Sequence, residues 1–123
     1  MKHAQLQVMT VADLVERFVQ IARAQDRALL GGETAKFNRL FSQMTDVSNE
    51  LKGRSGDARR ALVALYNYPS MQVQLKAAKH TLAVAPVEAR RKIEEIAESK
   101  WFPQAGEAGM CLAFLDDGTF KPT

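Results

Sequence analysis

Side chains that can move protons or attack carbonyls near neutral pH are scarce in this 123-residue chain, which holds two histidines, His3 and His80, and one cysteine, Cys111. Catalysis needs a nucleophile beside a base, paired carboxylates in a cleft, or a metal with several ligands. Cys111 with His80 as its base is a candidate nucleophile–base pair, and Glu94, Glu95 and Glu98 are an acidic cluster that would suit a cation. Both have a simpler reading. Cys111 falls on one helical stripe with Ala108, Leu112 and Leu115, where a thiol acts as a small hydrophobe. The three glutamates follow Arg90, Arg91 and Lys92 at helical spacing, the pattern of a solvated face laced with ion pairs. The chain contains no H-E-x-x-H, C-x-x-C or G-x-S-x-G motif and no phosphate-binding glycine loop. The expectation is a protein that is not an enzyme, with no catalytic residue, metal ligand or cofactor.

Binding chemistry is better represented. Between Lys52 and Lys92 stand nine basic residues and only two acids, a local excess of seven positive charges, whereas the rest of the chain has eight basic and twelve acidic residues. Such a positive segment would suit an acidic protein surface or a nucleic acid. Only Tyr66 and Tyr68 accompany it as aromatics able to stack on bases, so a protein is the first reading, and phosphate contacts from Arg54, Arg59, Arg60, Lys76 and Lys79 are the alternative. On the fourth helix Gln72, Lys76, Lys79 and His80 lie away from the apolar stripe and are the expected partner-binding residues. Two features break local rules. Asp116 and Asp117 end a helix where its dipole disfavours negative charge, so a basic side chain of the positive segment is expected to pair with them. Trp101 and Phe102, before Pro103, are expected to plug the end of the core.

These residues need a frame, and the dominant signal is apolar spacing of three and four, which makes the chain all-α. Six helices are predicted. Thr10 caps the first, whose Val11, Leu14, Val15, Phe18, Ile21 and Ala22 share a stripe that Gly31-Gly32 ends; the second runs from Thr34 to Gly53 with Phe37, Leu40, Phe41, Met44, Val47 and Leu51 on one face. The third enters through Ser55-Gly56-Asp57, buries Ala61, Leu62 and Leu65, and stops before Pro69. Ser70 caps the fourth, carrying Met71, Leu75, Ala78 and Leu82; Pro86 and Pro103 sit in the first turns of the fifth and sixth. Short connections pair them as three antiparallel hairpins over 10–53, 55–84 and 86–117. These either close into an irregular bundle or stack as a short α-solenoid, and the near-regular unit of about 30 to 45 residues favours the HEAT/armadillo type of stack.

With 46% hydrophobic and 25% charged residues, 1–123 reads as a single folded domain with residues 1–9 and 119–123 as loose tails. No apolar run approaches a membrane span, and a lone cysteine excludes an internal disulfide, so a cytoplasmic protein without membrane attachment is expected. The stretch YPSMQVQLKAAKHTLAVAP (68–86), the run WFPQAGEAGM (101–110) and the ending LDDGTFKP (115–122) resemble an uncharacterised bacterial family catalogued as a domain of unknown function. The resemblance implies a HEAT-like α-α superhelix and supplies no activity, cofactor or site residue. The reading that results is a non-catalytic interaction module for an unidentified protein partner.

Overall fold

The computed structural model describes residues 3–123, with side chains from Ala4 onward, so residues 1–2 of the expected loose tail lie outside the described residues. It is helical, with no strand among those residues, and seven segments stand where six are expected: α1 (His3–Gln7), α2 (Val11–Leu30), α3 (Thr34–Lys52), a 3₁₀ segment (Ala58–Asn67), α4 (Met71–His80), α5 (Pro86–Glu98) and α6 (Gln104–Asp116). The chain divides into two compact units, up to Ala61 and from Leu62 onward.

In the first unit Thr10 and Asp13 form a reciprocal capping box, each side chain accepting the other's backbone N–H, which satisfies two donors that the first turn of α2 would otherwise leave unpaired. Leu14, Phe18, Ile21 and Ala22 of α2 and Met44, Val47 and Leu51 of α3 are buried, and the two helices pack together, whereas Val11, Val15, Phe37 and Leu40 of the expected stripes are half-buried and Phe41 is exposed. Where a loose tail is expected, α1 packs on α3 and Leu6 is buried. The signal for it lies far away in sequence. Arg54 Nη2 donates to the carbonyls of Leu6 at 3.1 Å and Met9 at 2.8 Å, covering the orphan acceptors at the end of this short helix, while Arg54 Nε binds Glu50 at 2.7 Å.

The expected third helix is instead a 3₁₀ segment, and its buried row is Arg59, Leu62 and Leu65. That row has a period of three, as a 3₁₀ helix requires, so Ala61 is only half-buried. Tyr66 closes the segment by sharing a hydrogen bond of 2.6 Å with Thr81 Oγ1, which also donates to the carbonyl of Ala77.

In the second unit α4 packs on α5, α5 on α6 and α4 on α6. Leu75, Ala78, Leu82, Ala89, Ile93, Ile96, Ala108 and Cys111 form its buried cluster. Ser70 caps α4 and Pro86 opens α5, as their positions predict. Pro103 precedes α6 rather than lying in its first turn. The final residues fold back: Phe120 packs against the buried cluster, and its N–H donates to the carbonyl of Phe114 at 3.0 Å. No helix of the described residues is long and apolar enough to cross a membrane.

Candidate functional site

The polar face expected on α4 meets α6. Gln72 and Lys76 are 1% and 4% exposed, so they lie inside the packing and not on an outer surface. α4 is covered on more than one side, by α5 and by α6, which a single amphipathic stripe does not reveal. The polar ends of both residues are met by α6. Gln104 Nε2 donates to Gln72 Oε1 at 2.9 Å, both side chains being buried. Lys76 Nζ donates to Glu107 Oε2 at 2.7 Å, and Lys79 Nζ reaches the same oxygen at 3.1 Å. His80, at the last turn of α4, is half-buried.

Two ammonium groups thus share one carboxylate oxygen. Burial pushes the Lys76 ammonium below its ordinary value, and the attraction of Glu107 opposes this. Burial pushes the Glu107 carboxyl up, but the two lysines together outweigh it and hold the group below its ordinary value. The cluster keeps one net positive charge, and its Lys79 and Glu107 side chains are about a third exposed, at 28% and 32%. Cys111 lies in the field of the same groups, yet burial dominates and pushes its thiol up, away from the thiolate a nucleophile needs. The chemistry of this arrangement is that of an ionic pin between two helices.

The remaining basic residues of the positive segment are largely engaged in the same way. Arg54 pairs with Glu50, Arg59 with Asp57, Arg90 with Asp116 and Glu94, and Lys92 with Glu95. Counting Lys76 and Lys79, six of the nine have a carboxylate within 4 Å, and Lys52, Arg60 and Arg91 are exposed. The Arg90–Asp116 pair, 2.8 Å long, is the one expected for the acidic end of α6, with Arg90 supplied by the positive segment. Asp117 instead accepts the backbone N–H of Thr119 at 2.8 Å. Among the described residues no group of three or more histidines, cysteines and carboxylates is placed to hold a metal ion.

Trp101 and Phe102 do not plug the core: they are 62% and 69% exposed. Lys100 adopts a left-handed backbone (φ 60°) and turns the chain outward, and the Phe102 ring comes to lie beside Gly106, on the outer side of α6. Sequence reasoning missed the surface that follows. At about 100° per residue, Gly106, Gly109, Met110, Ala113 and Phe114 occupy one arc of about 140°, and Phe102, which precedes the helix, joins it through its ring beside Gly106. All six are exposed, Met110 by 60% and Phe114 by 41%. No charged residue interrupts the arc; Glu107 borders it along one side, and Asp117 lies on it just past the end of α6. The opposite side holds Gln104, Ala105, Ala108 and Cys111, so α6 is apolar nearly all round. The available signal was the run of alanine, glycine and large apolar residues with one charge between Gln104 and Leu115.

A family described as a domain of unknown function, DUF2019, matches residues 12–116. The chain belongs to the DUF2019 family. It is similar to the crystal structure of the protein RPA1889 from Rhodopseudomonas palustris CGA009, with 59% sequence identity, 96% of this chain and 98% of that chain covered, and a TM-score of 0.93. No curated protein matches it. For this member of the DUF2019 family the resemblance in 68–122 thus extends across most of the chain.

Proposed function

We propose that this protein is a non-catalytic interaction module that binds another protein through the outer face of α6. The observation that carries the reading is the exposed, uncharged arc from Phe102 to Phe114. A helix apolar on both sides is a helix meant to be covered, and contiguous exposed apolar surface on a folded protein marks a place of association. Lys79 and Glu107, half-buried at the margin of the arc, supply the polar rim that such interfaces carry. Within this reading the helical segments belong to a short HEAT-like α-α superhelix whose last helix is the binding element, and the lone buried thiol suits a reducing cytoplasm. A nucleic acid is the weaker partner class, because most of the positive segment is already paired with carboxylates.

A photo-crosslinking amino acid at Met110 tests the reading. Irradiation in the native host is expected to join Met110 to another polypeptide, while the same label at the exposed Glu98 of α5 yields little. Equal, background-level adducts at both positions would remove α6 as the binding face.

A further inference from the structure

We propose that the occupant of this face is a second copy of the same chain, held in an antiparallel, two-fold α6–α6 contact. The inference rests on the reading of α6 as an interaction surface and names its partner.

The first support is glycine where the fold has no use for it. Gly106 and Gly109 lie inside α6 with ordinary helical backbones, where glycine costs about 1 kcal/mol relative to alanine. Nothing in the chain demands it: a Cβ on Gly109 would meet no atom within 4 Å, and one on Gly106 would meet only the Phe102 ring at 3.7 Å. Bare backbone on an exposed helix face permits a second helix to approach closely.

The second is self-complementarity, which a two-fold interface requires because each copy offers the same patch. The arc carries both projections (Met110, Phe114) and gaps (Gly106, Gly109, Ala113). With the two-fold axis passing between Gly109 and Met110, the two Gly109 backbones meet on one side of the contact and the two Met110 side chains on the other, and Gly106 of each copy lies level with Ala113 of the other along the centre of the face. The same axis places Phe102 of each copy at the Asp117 end of the other.

The third is charge. Exposed Lys100 stands at the N-terminal end of the arc and exposed Asp117, whose carboxyl is held below its ordinary value by the Thr119 hydrogen bonds, at the C-terminal end. Antiparallel alignment brings unlike ends together twice and opposes the two helix dipoles, whereas parallel alignment would set like ends together. The chain's own last residues do not compete for the face, since Phe120 is seated on the buried cluster.

A contact built on one helix of 13 residues lies at the small end of interface sizes, so a weak dimer in the micromolar range is expected. Sedimentation velocity on the full chain, from about 5 to about 500 μM, reads it directly. The mass should climb from one chain to two. Gly109→Leu and Met110→Glu should each weaken the dimer about tenfold or more with unchanged helical circular dichroism; Gly109→Leu is the safer variant, because the folded chain leaves that space open. Lys100→Glu or Asp117→Lys alone should weaken it several-fold, and the two together should restore it. A one-chain mass at every concentration, a dimer indifferent to Gly109→Leu and Met110→Glu, or a double reversal no tighter than the singles overturns the proposal. If the mass stays at one chain while Met110 crosslinks to a different polypeptide, self-association falls and the interaction reading stands. If neither occurs, both fall.

Discussion

Lys76 illustrates how a residue type that normally seeks water is kept inside a fold. Its stem packs in the α4–α6 interface and its ammonium finds Glu107, so the desolvation cost is offset by a short charge-assisted bond. Removing the partner is therefore worse than removing the pair. Glu107→Gln, which keeps the volume, is expected to destabilise the protein by about 2 kcal/mol, less than a fully buried pair because the carboxylate is partly solvated. The pH dependence follows from the direction of each shift. Glu107 titrates below its ordinary 4.5 in the folded state, so its contribution is complete above that value and disappears as pH falls through the lower one. Lys76 also titrates below its ordinary 10.5, so the unfolded chain holds that proton more tightly and stability rises as pH climbs towards 10.5. Urea midpoints measured across pH should show both slopes. Glu107→Gln should flatten the acid one and Lys76→Met the alkaline one; wild-type slopes in both variants would mean that the pin contributes nothing.

At the level of elements, the segments that follow period and caps are those whose stability is local. α2 has its capping box and α4 its serine cap, and both begin where those residues stand. α1 is different, since a helix of five residues is not stable alone and depends on Leu6 burial and on Arg54. Arg54→Ala is expected to cost about 1 to 2 kcal/mol, from the loss of charge-assisted bonds to Leu6 and Met9, and to speed amide exchange in residues 4–9 well before the rest of the unit. Uniform exchange throughout the first unit would show that Arg54 does not hold α1 in place.

Across the molecule, the sign of charge along the sequence and the charge available to a ligand are different quantities. The excess of seven positive charges between Lys52 and Lys92 is met by carboxylates from inside the segment (Asp57) and outside it (Glu50, Glu94, Glu95, Glu107, Asp116). Phosphates would have to displace those partners. Fluorescence anisotropy with single- and double-stranded oligonucleotides at about 0.15 M salt should therefore detect no submicromolar binding, and whatever retention appears at low salt should vanish steeply as salt rises. Tight binding that Lys76→Ala with Lys79→Ala abolishes would restore the nucleic-acid reading.

Periodicity, caps and breakers were enough to establish an all-α chain, the limits of α2 to α5 within a few residues, the burial of Leu14, Phe18, Met44, Leu75, Ile93 and Cys111, and the pairing of the acidic end of α6 with a distant base. These properties depend on neighbours three or four residues away or on a charge that demands a partner. Tertiary structure alone decided the rest. Gln72 and Lys76 became interior residues because α6 lies against the side of α4 that an amphipathic reading leaves to solvent. Trp101 and Phe102 became surface residues because the left-handed Lys100 turns the chain outward, a backbone choice that lysine does not announce. The row through Arg59, Leu62 and Leu65 is buried because the segment winds at three residues per turn, a difference from 3.6 too small to separate over ten residues without its neighbours. The apolar arc of α6 is visible as composition, but which of its two sides is covered depends on how α4 and α5 pack, and that packing is a property of the fold and not of any window of sequence.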